Sequence, residues 1–227
     1  MFKIYYTCDF SYILLQSDSK KLLSAKFTQF KQENHPCELL IEACNQLDLY
    51  FSGNLKQFDL PLAILGTSFE RRVYEALCEI PYSQTVSYKQ LAASIGAKNA
   101  ARAVGRANAK NALPIFVPCH RVVSSKGLGG YSAGAELFHY TTQDFEKIQA
   151  FNKISKAGKK GEFIKDEFIK PSVKELKKQT FNKLKTNLKE CLNLNTKEAE
   201  FKLKFNSSLD IKRYLLRLEG VKRNYLD

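Results

Sequence analysis

No two cysteines in this chain are spaced as CxxC, and the six that occur (Cys8, Cys37, Cys44, Cys78, Cys119, Cys191) form no dense framework. That spread excludes a disulfide-stapled secreted scaffold and fits free thiols in a reducing compartment. His35, Cys37 and Cys44 lie close enough in sequence to share a metal, but no fourth ligand stands at zinc-finger spacing, so no metal site is expected. Long apolar runs are missing too: none reaches the length that crosses a bilayer. Lys3 and Asp9 interrupt the apolar N-terminal residues and no small-residue cleavage site follows, so no signal peptide is read. These absences point to a cytoplasmic chain without a membrane partner. Negative charge is also scarce. Lys and Arg outnumber Asp and Glu by 36 to 23, a net charge of +13, which calls for an anionic partner.

The 227 residues allow one large domain or two small ones. The positive charge is not spread evenly. Residues 1–60 hold six Lys/Arg against seven Asp/Glu, whereas residues 61–134 hold nine against three. Residues 135–208 hold sixteen against ten, and residues 209–227 five against three. The basic excess thus begins beyond residue 60.

Residues 1–30 mix aromatic and β-branched residues with the turn Ser17-Asp18-Ser19 and read as a hairpin or meander. A helix is expected over 38–51, with Leu39, Ala43, Leu47 and Tyr50 or Phe51 on one face and Ser52-Gly53-Asn54 ending it. Thr67-x-x-Glu70 is a capping box opening a helix with Phe69, Val73 and Leu77 on one face, stopped by Pro81. Ser87-x-x-Gln90 is a second capping box, opening a helix over 88–95. After the Gly96 turn another helix is expected over 99–110, completing a helix-turn-helix. Ser125-Lys126-Gly127, a tight turn between Val122-Val123 and Leu128, reads as a wing. The last helix begins near Leu209, carries Ile211, Leu215 and Leu218 inward, and ends at Gly220.

Chemistry concentrates in Val117-Pro118-Cys119-His120-Arg121-Val122-Val123. Pro118 fixes its own φ and pushes Val117 towards extended geometry, so Cys119 is expected on a stiff, non-helical backbone. The thiolate is the reactive form of cysteine, and the neighbouring cation Arg121 is expected to lower the thiol pKa, with His120 as a nearby base. The helix before it is rich in alanine (Ala100, Ala101, Ala103, Ala107, Ala109), leaving Arg102, Arg106 and Lys110 as its reach. Small residues permit close approach to a narrow groove, and the minor groove of B-DNA is only about 6 Å wide.

Pro118-Cys-His-Arg-Val-Val123, with Gly129-Gly-Tyr-Ser132 downstream and Ala100-Ala-Arg-Ala-Val-Gly105 upstream, resembles the signature of the O6-alkylguanine-DNA alkyltransferases. The resemblance implies an α+β architecture. A small N-terminal α/β support domain (1–60) precedes a winged-helix-like DNA-binding catalytic domain (61–134 and 209–227). It implies irreversible transfer of an alkyl group from O6 of guanine, and from O4 of thymine, to Cys119. The base is flipped out of the duplex, no cofactor takes part, and each molecule acts once as a monomer on double-stranded DNA. His120 would take the thiol proton and Glu219, in Leu215-Leu-Arg-Leu-Glu-Gly220, would orient it. Tyr88 would serve the flipped guanine as donor, and Asn111 would brace the site, although Ala112 replaces the proline usual after it. Arg102 would fill the gap left by the base. Ala101, Arg106, Lys110 and Arg121 would meet DNA, Arg106 at a phosphate. Gly130, Tyr131, Ser132 and Pro114 would wall the pocket.

One stretch departs from that family. Residues 135–208 separate Gly134 from the last helix, where relatives run on almost directly; the stretch has no arginine and many lysines. It reads as a Lys-rich insertion, mostly helical or partly disordered. Helical spacing occurs over 142–154 and 172–192, and alternation at Phe201, Leu203 and Phe205. The insertion leaves open whether Glu219 reaches His120 and whether Tyr131 and Ser132 keep their places. A non-catalytic lesion-binding protein of the same fold and a winged-helix regulator remain the alternative readings, with a Cys-His hydrolase behind them.

Overall fold

The computed structural model describes residues 1–8, 11–28, 31–133 and 207–222, all within one compact unit. The helical spacing at 142–154 and 172–192 and the alternation at 201–205 lie outside the described residues. The chain opens with an antiparallel meander of β1 (Phe2–Thr7), β2 (Tyr12–Ser17) and β3 (Leu22–Thr28), as the sequence led us to expect. The period of two is clear in β2, where Ile13, Leu15 and Ser17 are buried and the residues between them are half-buried. Helix α1 (Glu38–Phe51) packs on β1 and β2. Its enclosed stripe is Leu40, Ala43, Leu47 and Tyr50, spaced i, i+3, i+7, i+10. Leu39, expected on that face, is only half-buried because it lies one residue out of phase. Gly53, at φ +78°, turns the chain out of the helix, a conformation glycine adopts without steric cost.

Strand β3 ties this sheet to the rest of the chain. Leu22 N–H donates to Pro61 O (2.8 Å), Ala63 N–H to Leu22 O (2.9 Å), and Ala25 N–H to Ala112 O (2.8 Å). That last bond anchors from outside the loop that lacks its proline.

Both capping boxes form. Glu70 N–H donates to Thr67 Oγ1 (3.2 Å) at the start of α2 (Ser68–Cys78), and Gln90 N–H to Ser87 Oγ (3.1 Å). Such caps contribute about 1 kcal/mol each. Phe69 is half-buried; Val73, Tyr74 and Leu77 make the enclosed face of α2. Strand β4 (Val86–Ser87) leads directly into α3 (Tyr88–Ser94), and α4 (Ala101–Ala109) packs against α3 after Gly96. Helix α4 starts two residues later than expected because Ala100 is its N-cap, its N–H turned back to Ala97 O. The short β5 (Val122–Val123) pairs in parallel with β4. The wing is a turn closed by Ser124 N–H donating to Gly127 O (2.9 Å), not a stranded hairpin.

Helix α5 (Ser208–Leu218) buries Ile211, Lys212, Leu215 and Leu216. Leu218, expected inward, is half-buried; Leu216 takes that place and packs with Val123, Leu128 and Val221. The turn at 125–127 and the C-terminal helix therefore share one apolar cluster.

Candidate active site

The segment entering the site is held from both ends. Val117 N–H donates to Leu113 O (2.8 Å), and Ile115 is forced to φ +76°. A β-branched residue in the left-handed region is strained, and such strain persists only where the surroundings over-determine it. Here Asn111 supplies the constraint. Its Oδ1 accepts from Leu113 N–H (3.0 Å) while its Nδ2 donates to Val117 O (2.8 Å) and to Cys119 Sγ (3.2 Å). Asn111 therefore braces the loop and touches the sulfur. Cys119 itself does not sit on non-helical backbone. It opens a 3-10 turn, Cys119–Arg121, closed by Arg121 N–H donating to Pro118 O (3.0 Å). Proline has no N–H to lose at the head of such a turn.

The charges around the sulfur differ from the expected set. Arg121 does not face DNA. It is buried, and its Nε and Nη2 donate to the Glu219 carboxylate (2.9–3.2 Å) and its Nη1 to Ile80 O (2.8 Å). A guanidinium so enclosed cannot reach a phosphate, which corrects its assignment as a DNA contact. Nor does it lower the thiol. Burial pushes the Cys119 pKa up, partly offset by the Asn111 hydrogen bond and the charge of Lys212. The resting sulfur is a thiol, and the cation that moderates it is Lys212.

Lys212 is fully enclosed. Its ammonium spends three N–H groups on Val122 O (2.7 Å), Leu128 O (2.6 Å) and Gly130 O (3.1 Å). Burial lowers its pKa to about 8. It fastens α5 to both sides of the 125–127 turn.

His120 and Glu219 meet in spite of the long separation between them. His120 Nε2 lies 2.8 Å from Glu219 Oε1, with the imidazole 0 % and the glutamate 2 % exposed. Burial lowers the His120 pKa against the raising effect of Glu219, so the ring is neutral at pH 7. A carboxylate only accepts, so Nε2 carries the proton and Nδ1 keeps its lone pair. Nδ1 is enclosed and has no partner among the described residues. No direct hydrogen bond joins Sγ to the ring among them either.

Burial would raise the Glu219 pKa, but the His120 and Arg121 contacts bring it down to about 2. With the imidazole neutral, Arg121 is the lasting source of that stabilisation. A carboxylate at the end of α5 opposes the helix dipole, and these donors offset the conflict. One more donor arrives from the N-terminal half: Tyr50 Oη–H donates to Glu219 Oε1 at 2.8 Å.

Cys119 lines a cleft of about 400 Å³ whose other wall is α4. Of the four residues read as pocket wall, Gly130, Tyr131 and Ser132 border it and Pro114 does not; Ala101 and Arg102, read as DNA contacts, border it too. Pro114 is instead buried and bridged to Val117, under the loop and not beside the cleft. The β4–β5 pairing places Tyr88, first residue of α3, beside the cleft, where its hydroxyl donates to Gly130 O (3.1 Å). Gly129 at φ +68° makes that approach possible, since a Cβ there would meet Tyr88 Cε2 at 2.9 Å. Gly130 has open space where its Cβ would be; its carbonyl, which accepts from Tyr88 and Lys212, is what matters. Arg102 and Arg106 are exposed on α4, and Lys110 pairs with Glu70 (2.8 Å) in an exposed ion pair.

Three residues of the site were not anticipated: Tyr50, Lys212 and Asn108. Asn108 lines the cleft together with Ala101 and Gly105, and its i, i+4, i+7 phase with them was a usable signal. Lys212 lies in phase with Leu215 and Leu216 on the apolar face. Tyr50 carried no local signal, because its partner is 169 positions away.

Two family models match the chain. The 6-O-methylguanine DNA methyltransferase DNA binding domain matches residues 68–143, and the ribonuclease-like domain of the same proteins matches residues 1–64. A methylated-DNA–protein-cysteine methyltransferase of Methanosarcina barkeri is 54% identical over 97 residues, 42% of this chain and 61% of that relative. The Methanosarcina acetivorans protein of that name is 43% identical over 135 residues, 55% of this chain and 85% of the relative. A crystal structure of Mycobacterium tuberculosis OGT in complex with DNA superposes with a TM-score of 0.52 at 37% identity, covering 58% of this chain and 85% of that one.

Proposed function

We propose, for a chain that belongs to the methylated-DNA–protein-cysteine methyltransferase family, that it repairs DNA by moving an alkyl group from O6 of guanine, or O4 of thymine, irreversibly onto Cys119. The observation that carries this reading is the placement of Sγ in a cleft walled by the alanine-rich helix α4, with a neutral, enclosed imidazole next in sequence. The target lies inside a stacked duplex, so the nucleotide is flipped out, at a cost of a few kcal/mol. Arg102, at the cleft on the exposed side of α4, enters the duplex and fills the gap. Arg106 and Lys110 contact phosphates; Lys110 exchanges its exposed pairing with Glu70 for one.

The thiol proton passes from Sγ through a water to His120 Nδ1, the ring's free lone pair, and the imidazolium is stabilised by Glu219. The thiolate, steadied by Asn111 Nδ2 and the Lys212 charge, attacks the alkyl carbon. The C–O6 bond breaks as the S–C bond forms, and the electron pair left on the guanine is met by a proton. Tyr88 Oη–H, released from Gly130 O, and Ser132 stand at the cleft as donors. A thioether does not leave, so each molecule acts once. No cofactor enters these steps.

Residues 1–60 act as the support, with 61–134 and 209–227 as the catalytic part and 135–208 as an inserted basic segment. The protein works as a monomer on double-stranded DNA in the cytoplasm. Among the described residues no helix is long and apolar enough to cross a membrane.

Intact-mass measurement after incubation with an O6-methylguanine duplex tests the proposal. One methyl group is gained by the wild type and none by Cys119→Ala. Tight lesion binding without any mass gain would favour a non-catalytic lesion-binding protein instead.

A further inference from the structure

Two enclosed polar atoms near the sulfur are unmatched within the protein. One is His120 Nδ1, the lone pair that receives the thiol proton; the other is the hydroxyl of Tyr131. Neither has a hydrogen-bond partner among the described residues. His120 is 0 % and Tyr131 8 % exposed, so bulk solvent satisfies neither. Tyr131 borders the cleft beside Cys119, and its backbone is fixed to α5 by Ser208 Oγ–H donating to its carbonyl. Phenylalanine would build the same wall without the cost of an enclosed, unpaired hydroxyl.

The surroundings of the hydroxyl narrow what meets it. Burial pushes the Tyr131 pKa well above the usual phenol value, and the charges of Cys119 and Glu219 both add to the rise. The hydroxyl therefore lies within electrostatic reach of the sulfur and of the carboxylate. The imidazole joins those two: it follows Cys119 in the chain, and its Nε2 meets Glu219 at 2.8 Å. Yet the phenol bonds directly to none of these three groups. One water suits such a set, accepting from Tyr131 Oη–H and donating to Nδ1 beside the thiol. Buried waters commonly make about three hydrogen bonds to polar groups that are otherwise unsatisfied.

We infer that Tyr131 is a positioning residue for proton transfer, its hydroxyl fixing the water between Cys119 Sγ and His120 Nδ1; this rests on the relay of the alkyltransferase reading above. The water takes the proton as the S–H bond breaks and gives one of its own to Nδ1, so it emerges unchanged. The phenol keeps its proton throughout, because its ionisation is suppressed. Tyr131→Phe in the full chain tests this, since it keeps the ring and removes only the hydroxyl. Wild type and variant are compared by single-turnover methyl transfer from an O6-methylguanine duplex and by affinity for that duplex. A second reaction involves no nucleobase: carbamidomethylation of Cys119 by neutral iodoacetamide, followed by peptide mass over a range of pH.

The variant is expected to be about tenfold slower in both reactions near neutral pH, with duplex affinity within about twofold of wild type. The gap should narrow as pH rises, because a thiol that ionises unaided needs no relay. Slower transfer from DNA with unchanged carbamidomethylation overturns the inference and gives the hydroxyl to the base instead. A loss of the same size at every pH overturns it and makes Tyr131 a packing residue. Undiminished rates in both reactions overturn it as well. Should the wild type take up no methyl from DNA, the alkyltransferase reading fails, while the iodoacetamide comparison still decides the proton path.

Discussion

At the scale of single residues, Glu219 decides whether the site holds together. It is the common acceptor for His120, Arg121 and Tyr50, and all four are buried. Glu219→Gln would leave the Arg121 cation uncompensated, and breaking a buried pair in this way costs about 3–5 kcal/mol. Thermal and denaturant unfolding check that. The pH dependence is set by the sign of the shift. Glu219 is held at about 2, below its ordinary value of 4.5, so its contribution is complete above pH 4.5 and is lost as pH falls through about 2. Wild-type stability should drop over that window, and Glu219→Gln should lack this component. Transfer has its own acid limb. Below the lowered His120 pKa the ring is protonated and no longer a base, so the rate should fall at a lower pH than the protonation of an ordinary imidazole would give. Glu219 raises the His120 pKa, so in Glu219→Gln the limb should move further down while the maximal rate falls.

At the scale of elements, α1 is more than a support, because it delivers Tyr50 to the carboxylate. Tyr50→Phe removes one donor to a buried charge and should cost about 1–3 kcal/mol. A carboxylate with one fewer donor is the stronger partner for the imidazole, so the acid limb of transfer should move up in pH, opposite to Glu219→Gln. A destabilisation without any movement of that limb would reduce Tyr50 to a core residue.

The contrast shows what was readable beforehand. The two capping boxes, the meander and the helix 38–51 are local signals and appear where the sequence put them. The Cys119, His120 and Glu219 roles came from motif resemblance. Tyr50, Lys212 and the enclosure of Arg121 came from neither, since each depends on partners brought together by tertiary packing. Arg121 shows the limit most plainly: a lone cation beside a nucleophile reads as an activator or a DNA contact, and only the fold reveals the carboxylate that takes it up. Helix α4 offers the clearer test of a local reading. Arg106 is exposed and assigned to a phosphate, so Arg106→Ala should weaken DNA binding equally across sequences and reduce the salt slope by about 1. Arg102→Ala should instead lower lesion transfer more than it lowers binding to undamaged duplex.

At the scale of the whole molecule, charge and connectivity are separable. Residues 135–208 carry sixteen Lys against ten Asp/Glu, close to half of the net charge of +13. The side chains proposed for catalysis lie on either side of that segment and none lies within it. Ser208 Oγ–H donates to Tyr131 O at 2.5 Å, so the chain returns beside the point from which it leaves. An extended residue spans about 3.3–3.6 Å, and a few glycines and serines would therefore bridge from Ala133 to Ser207. Loop closure also costs little more for a long connection than for a short one, so the replacement should leave stability nearly unchanged. Replacing 135–206 with such a linker should keep the transfer rate within about threefold at low salt. It should also flatten the dependence of DNA affinity on salt, because fewer counterions are released when fewer cations meet the backbone. Transfer rates and binding titrations over a range of salt concentrations measure both. If transfer were abolished while the shortened protein still unfolded cooperatively at its usual temperature, the segment would belong to the site, and the division of the chain into a catalytic part and an inserted basic one would have to be given up.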